Sequence, residues 1–392
     1  MMLAAIQGNA DAAAERLNGT IWAFSAINAQ ETMTKANGRE RYMNSKRIAI
    51  IDIAKGIGIF LVFAGHLFTA GEFLNDFIYT FHMPLFFFLA GYVMSDRYLK
   101  GGISKRIYSM LLVYFEILLA ATAICFLIPF CRQFINKYVY IYSAILMAQP
   151  EIVYVGQLWF LISIVWFFAM FFVINNMFEK TLYRAAAALV IYSLSAYISS
   201  KTVLTVIGSY QVADIFKIRT SALTFLFFET GYLCKKHDMI PKAENIKLPL
   251  TVLILASCTA LTAAVRAFNG SVNIAMPQTG NSALYILGGF AGIFMVISAS
   301  VLLQKISAVK KILVWYGKNT LQIFTTHSLY LYLYVYILSK ITGNTIVAAK
   351  NIPDTLSFVG VFFIAILSIP MVKLFDLTFG KLNAFITRPK TA

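Results

Sequence analysis

Apolar stretches long enough to cross a lipid bilayer recur from residue 48 to residue 377, and they constrain the fold more than any other feature. A spanning helix needs about 20 largely apolar residues. The chain is 59% hydrophobic and only 13% charged, about half the charged share of a soluble domain. The apolar runs do not alternate with polar residues, as the strands of a membrane β-barrel would. The sequence therefore predicts an all-α polytopic membrane protein.

About ten transmembrane helices are expected from these stretches. Their predicted bounds are 48–69, 76–96, 107–129, 154–175, 184–200, 214–234, 248–267, 282–303, 313–338 and 355–377. Two shorter segments, 138–149 and 202–210, are interpreted as re-entrant or interfacial helices. If both segments are counted as spans, the chain has twelve transmembrane helices, which is the alternative to ten.

Lysine and arginine gather in the loops after the second, sixth and eighth predicted spans and at the ends of the membrane part, whereas loop 269–281 is uncharged. By the positive-inside rule the basic loops are cytoplasmic. Both termini are then cytoplasmic, in a multi-pass protein of the inner (plasma) membrane. This placement accounts for the net charge of +16 without nucleic-acid binding.

Three regions differ in composition. Residues 1–45 are polar and form an N-terminal extension that is either disordered or upstream of the true start. In the second case, Met43 is the expected first residue. Residues 46–380 are predicted to form the integral-membrane domain, and 381–392 a cytoplasmic tail.

The first span reads DIAKGIGIFLVFAGH over 52–66 and carries Asp52, Lys55 and His66. Lys55 and His66 are eleven positions apart, which is about 20° from three full helical turns and roughly 16 Å along the axis. They share one helix face, and ionisable groups inside a span usually face a cavity or a pathway. Alternatively, Lys55 is a snorkelling residue, Asp52 compensates the helix N-terminus and His66 is a satisfied polar group.

Other candidate residues stand along the first four spans. His82 is expected close in depth to His66, Glu116 lies deep in the third span, and Trp159 lies in the fourth, near the outer surface. Lys105 and Arg106 follow the second span, and the positive-inside rule alone also explains basic residues at this place. Trp159 is equally consistent with an interfacial aromatic belt.

Three more polar residues are weaker candidates for a functional role. Glu229 is expected to pair with Lys235 or Lys236. Asn319 and His327 are either functional or simple helix–helix contacts.

The motifs, in their order and spacing, resemble the membrane-bound acyltransferase-3 family over about residues 46–380. This family includes fucose 4-O-acetylase-like proteins and bacterial surface-polysaccharide O-acetyltransferases. Its pattern of an acid, a basic residue, ten residues and a histidine matches Asp52, Lys55 and His66. Its FFxxSG motif reads FFFLAG at 86–91, with Ala90 in the serine position, and its RxR motif is only Lys105–Arg106. GQLWFL at 156–161 and YGKNTLQIFTTH at 316–327 also resemble family motifs.

The resemblance implies an enzyme that transfers an acetyl or other short acyl group from cytoplasmic acetyl-CoA to a sugar hydroxyl of an exported or cell-envelope glycan. His66 is then expected to act as general base. Lys55 would stabilise negative charge on the donor or the oxyanion, with Asp52 orienting it.

The remaining candidates take binding roles in this interpretation. Lys105 and Arg106 are the candidate phosphate contacts, and Glu116, Trp159 and His82 the candidate acceptor contacts. No metal is expected. The alternatives are a transporter or flippase that uses the same charges without covalent chemistry, and a membrane sensor or structural component.

Overall fold

The computed structural model describes residues 48–69, 71–98, 102–127, 156–201, 205–207, 210–212, 214–343 and 352–377. The chain divides into two units, Met1–Ala49 and Ile50–Ala392. The predicted extension over 1–45, the segment 138–149 and the tail over 381–392 lie outside the described residues.

Helices dominate the described ranges. In chain order they are α1 Ala49–Leu67, α2 Phe73–Tyr79, α3 His82–Tyr92, α4 Ile103–Leu127, α5 Trp159–Met177, α6 Thr181–Ser200, α7 Ile218–Lys236, α8 Met239–Glu244, α9 Leu248–Asn269, α10 Ser282–Leu303, α11 Ser307–Lys318, α12 Thr320–Thr342 and α13 Asp354–Phe375. Short 3₁₀ turns at Asp96–Tyr98, Gly156–Leu158 and Ile215–Lys217 complete the helical set. Two short strands, β1 Thr205–Ile207 and β2 Tyr210–Val212, form an antiparallel pair.

Within the described ranges, eight helical segments are long and apolar enough to cross a membrane, which confirms an all-α multi-pass membrane protein. Large apolar side chains lie exposed along several of these helices, as expected where lipid covers the bundle. Examples are Leu182, Leu253, Phe362 and Ile366.

The two predicted spans at 214–234 and 313–338 differ from the other eight. The first corresponds to α7, and the second to α11 followed by α12. Helices α7 and α12 have 19 and 23 residues, but they are not among the segments apolar enough to qualify. Helix α7 packs against α3, α5 and α6, so neighbouring protein surrounds the polar side chains it carries.

Two predicted spans are interrupted. The second consists of α2 and α3, which are separated at Thr80 and Phe81. Pro84 explains this break, because proline has no N–H to donate to the Thr80 carbonyl and its ring would clash with it. The ninth is divided at Asn319 into α11 and α12.

The interpretation of 202–210 as a helix was wrong. The described part of that segment belongs to the β1–β2 pair, with Val206 opposite Gln211. The β-branched and aromatic residues of these short strands, TVI and YQV, favour such a pairing, because they are enriched in strands.

One end of the helical bundle is basic. It contains the start of α1, the end of α7, the start of α9, the end of α10 and all of α11. We call it the basic end, and its exposed lysines include Lys236, Lys247, Lys305, Lys310, Lys311 and Lys318. Helix α11 joins α1 there at a close backbone contact, since a Cβ on Gly317 would collide with the carbonyl of Asp52. The opposite end carries the uncharged loop 269–281.

Candidate active site

Three of the four histidines of the chain lie together towards the end of the bundle opposite the basic end. The rings of His66 on α1 and His327 on α12 are stacked, with centroids 5.2 Å apart and planes inclined by 29°. His82, the first residue of α3, lies within electrostatic range of His66. His66, His82 and His327 are called the histidine cluster below.

Backbone contacts orient two of these rings. Nδ1 of His327 donates to the Phe324 carbonyl at 2.7 Å, and Nδ1 of His82 donates to the Ile78 carbonyl at 3.0 Å. A carbonyl can only accept, so each Nδ1 carries the hydrogen and each neutral ring keeps a lone pair on Nε2. Nε2 of His327 is buried and has no hydrogen-bond partner among the residues that the structure describes.

Exposure separates the three histidines. His327 and His82 are 0% and 7% exposed, whereas the side chain of His66 is exposed. His66 is therefore the member of the cluster with open surface, and the buried ring of His327 lies behind it.

The end of α1 that carries His66 is held by side chains from two other elements. Nδ2 of Asn75 donates to the Gly65 carbonyl at 2.7 Å and to the Phe68 carbonyl at 3.1 Å. The Ser357 hydroxyl donates to the Leu67 carbonyl at 3.0 Å. These bonds satisfy carbonyls that a helix end leaves unpaired, and they restrict movement of His66.

Gln157 links the two motifs at 156–161 and 316–327. Its Nε2 donates to the Thr325 carbonyl at 2.7 Å, and its Oε1 accepts from the Ser328 hydroxyl at 2.6 Å. These partners flank His327 on α12, so Gln157 fixes the α12 backbone beside the cluster. Gln157 has no role among the predicted site residues, although an amide inside an apolar run is itself a functional signal.

The acidic and basic residues of the first motif lie near the basic end. Asp52 is buried, at 3% exposure, and Lys55 is half-buried. The continuous helix α1 places Lys55 about 16 Å from His66 along the axis at 1.5 Å per residue. The three residues of the motif thus occupy two separate levels of the bundle.

The candidate donor contacts lie on α4. The Lys105 side chain is exposed, and the Arg106 guanidinium lies 5.6 Å from the centroid of the Tyr98 ring. Glu116 lies further along α4 and is buried. Their binding roles stay predictions.

Trp159 and the FFFLAG motif are parts of the protein interior. Trp159 is 8% exposed, and its ring centroid lies 6.2 Å from that of Phe87. Little of its surface is open to an acceptor, and its proposed stacking on a sugar stays a prediction. Phe86, Phe87 and Phe88 are all buried. Gly91 packs against the Phe228 carbonyl of α7, a contact that only a residue without a Cβ permits.

The expected pairing of Glu229 with Lys235 or Lys236 was wrong. Oε1 of Glu229 accepts from Nε of Arg184 at 2.8 Å, and NH2 of Arg184 lies 2.5 Å from the same oxygen. Lys235 instead donates to the Met94 carbonyl at 2.7 Å. Arg184 lies on α6, far from Glu229 in sequence, and only tertiary packing brings the two together.

Asn319 makes a local contact at the junction of α11 and α12. Its Nδ2 donates to the Trp315 carbonyl at 2.8 Å and satisfies the end of α11.

The fold and the site define a multi-pass membrane protein with a cluster of three histidines towards one end and a basic surface at the other. The family model described as an acyltransferase domain matches residues 48–372, most of the chain. The chain therefore belongs to the acyltransferase-3 family and is a membrane acyltransferase. No curated protein matches the chain. Membership in this family favours an enzyme over the transporter, flippase and sensor alternatives.

Proposed function

We propose that the protein is an O-acyltransferase of the inner (plasma) membrane. It moves an acetyl or other short acyl group from acyl-CoA at the basic, cytoplasmic end to a sugar hydroxyl of an exported or cell-envelope glycan at the opposite end. The fucose 4-O-acetylase-like group is the closest description of this activity that the sequence supports.

The single observation that carries the proposal is the arrangement along α1. Lys55 lies near the basic end, and His66 lies about 16 Å away on the same helix face. His66 is exposed and stacks on His327. A donor that carries phosphates is attracted to the exposed lysines of the basic end, which leaves the opposite end, where His66 lies, for the acceptor hydroxyl.

In the proposed reaction, the acceptor hydroxyl oxygen attacks the carbonyl carbon of the thioester. The new C–O bond forms, the C–S bond breaks, and the hydroxyl proton passes to the His66 imidazole. That proton then neutralises the departing thiolate, so the products are an ester and free CoA thiol. Lys55 stabilises negative charge on the donor, with Asp52 as its orienting partner.

The other candidates take supporting roles in the proposal. Lys105 and Arg106 bind donor phosphates at the basic end. His82 and Glu116 shape the acceptor side. His327 positions His66 by stacking, and its Nδ1 bond to Phe324 holds the ring in place.

The proposal is tested with the full chain reconstituted in lipid vesicles. Acetyl-CoA is the donor and a methyl fucopyranoside the probe acceptor, and release of CoA thiol is measured. Changing His66 to alanine is expected to lower turnover by about 10²–10⁴-fold, the usual contribution of a well-placed general base.

His237→Ala is the matched control. His237 directly follows α7, lies outside the histidine cluster and is exposed. Among the side-chain hydrogen bonds in the described ranges, its ring has one, to Thr181 at 3.3 Å. It should keep wild-type turnover. Equal turnover in wild type and His66→Ala would remove His66 from catalysis. No thiol release from wild type with any donor and acceptor tried would contradict the proposed function.

A further inference from the structure

A short 3₁₀ turn, Asp96–Tyr98, lies in the chain between α3 and α4, the helix that carries the proposed donor contacts. We call it the connecting turn. The amide of Gly102 donates to the Tyr98 carbonyl at 3.1 Å, and the amide of Arg106 donates to the Gly102 carbonyl at 3.2 Å. The Arg106 guanidinium also lies 5.6 Å from the centroid of the Tyr98 ring. The place of Arg106 therefore depends on where the connecting turn is held.

Two side chains at the end of α7 hold this part of the chain. The Tyr232 hydroxyl donates to Oδ1 of Asp96 at 2.5 Å. Nζ of Lys235 donates at 2.7 Å to the carbonyl of Met94, two residues before the connecting turn. Tyr232 is 5% exposed, whereas Asp96 is exposed. The bond from Tyr232 thus anchors a carboxylate of the surface to the interior of the protein at the basic end.

Tyr232 is itself held on more than one side. The Arg184 guanidinium lies 4.5 Å from the centroid of its ring, and Nε of Arg184 donates to Oε1 of Glu229 at 2.8 Å. The neighbouring Gly231 packs against the Phe88 carbonyl of α3, where a Cβ would collide. A ring that packing has already ordered loses little further conformational entropy when its hydroxyl forms a bond. Tyr232 is therefore a rigid anchor for the connecting turn.

We propose that Tyr232 and Asp96 are positioning residues for the acyl-CoA donor, because they hold Arg106 where it binds a donor phosphate. The inference rests on the proposed function, in which Lys105 and Arg106 bind the donor at the basic end. The hydrogen bond from Tyr232 to Asp96 fixes the connecting turn, and Tyr98 of that turn carries the first turn of α4 and the Arg106 side chain. Arginine binds phosphate as a planar fork of donors, so its affinity depends on its orientation.

The test measures equilibrium binding of labelled acetyl-CoA and steady-state release of CoA thiol by the full chain in lipid vesicles. Tyr232→Phe removes one hydroxyl and keeps the ring against Arg184. It is expected to raise the Kd and the KM for acetyl-CoA about tenfold, the scale of one hydrogen bond to a charged group. The kcat should stay near the wild-type value, because the histidine cluster lies towards the other end.

Arg106→Ala supplies the background that separates positioning from a general loss of structure. If Tyr232 acts through Arg106, Tyr232→Phe should not raise the Kd further once Arg106 is alanine, since both changes remove one interaction. In a Lys105→Ala background, Tyr232→Phe should still raise the Kd about tenfold, because Arg106 is present there. A general loss of structure would weaken binding in both backgrounds alike.

Two substitutions at Asp96 test the other partner of the bond. Asp96→Asn keeps an oxygen that accepts from Tyr232 and removes a negative charge near the phosphates, so it should bind acetyl-CoA at least as tightly as wild type. Asp96→Ala removes the bond and should raise the Kd about tenfold. If alanine binds as tightly as asparagine, the bond has no positioning role and the inference fails.

Tyr192→Phe is the matched control. Tyr192 on α6 is 3% exposed, and its hydroxyl donates at 2.6 Å to the carbonyl of Ser282, the first residue of α10. This end of α10 is opposite the basic end. The variant therefore loses a comparable hydroxyl bond away from the connecting turn and should keep the wild-type Kd.

The outcomes separate the positioning role from the underlying activity. A folded Tyr232→Phe variant with the wild-type Kd overturns the inference, and so does an effect that persists undiminished when Arg106 is alanine. Wild type that binds acetyl-CoA with the expected dependence on Tyr232, but never releases thiol, supports the positioning role and contradicts the proposed function. Wild type that does not bind acetyl-CoA overturns both.

Discussion

At the scale of single residues, the account depends on what surrounds His66. An exposed imidazole alone has no fixed orientation, but His66 lies against the buried ring of His327 at 5.2 Å. Asn75 and Ser357 hold the backbone of the same turn. Preorganisation of this kind is what allows a weak base to act efficiently, because a misplacement of about 1 Å can cost about 100-fold in rate.

This view leads to a prediction for His327. Replacing it with phenylalanine keeps a flat ring behind His66 and should retain most of the turnover, whereas alanine should lower kcat about 100-fold. The KM for acetyl-CoA should stay near the wild-type value in both variants, since the proposed donor contacts lie at the basic end. The measurement is steady-state thiol release by the reconstituted protein.

If phenylalanine is as damaging as alanine, stacking is not the contribution of His327. The lone pair on Nε2 would then have to take part in proton transfer. A KM effect without a kcat effect would place His327 in the donor site instead.

At the scale of elements, the sequence was informative wherever apolar length decides the outcome. Eight predicted spans correspond to helices that qualify as membrane-crossing in the described ranges. Asp52, Lys55 and His66 could be singled out from the sequence as candidates, because ionisable groups stand out in an apolar span and a period of 3.6 residues places Lys55 and His66 on one face. Their roles stay predictions.

Features that depend on tertiary contacts were not predictable in the same way. The break at Thr80 and Phe81 has a local cause in Pro84, yet its position shows only in the folded chain. Gln157 meets Thr325 and Ser328 across more than 160 residues of sequence, and no periodic pattern encodes such a meeting. Glu229 was assigned to a neighbouring lysine for the same reason, since its partner Arg184 is remote in sequence.

The Arg184–Glu229 pair joins α6 to the central helix α7 and yields a prediction about stability. Both side chains are nearly inaccessible, at 2% and 0% exposure. Glu229→Leu leaves a buried guanidinium without its carboxylate and should destabilise the protein by about 3–5 kcal/mol. The measurement is the unfolding transition of the purified protein in detergent.

The double variant Arg184→Met with Glu229→Leu is the control, because it removes both charges and should recover most of that loss. Equal stability of the single variant and wild type would show that the pair contributes nothing to holding α6 on α7. A double variant as unstable as the single one would assign the loss to packing rather than to the unpaired charge.

At the scale of the whole molecule, the two ends of the bundle differ in chemistry. Exposed lysines surround the end where Lys55 lies, and the uncharged loop 269–281 marks the end of the histidine cluster. The packed rings of Phe86, Phe160 and Phe324 lie between these levels. Such a division suits an enzyme whose donor and acceptor stay in different compartments.

The most direct measurement of this claim uses sealed vesicles that hold a methyl fucopyranoside inside and receive labelled acetyl-CoA only outside. For molecules with the basic end outward, the account predicts labelled ester in the vesicle interior and CoA thiol outside, and neither product with His66→Ala. Orientation is read from protease cleavage at the exposed lysines of the basic end. Labelled ester formed only on an acceptor placed outside with the donor would contradict transfer across the membrane.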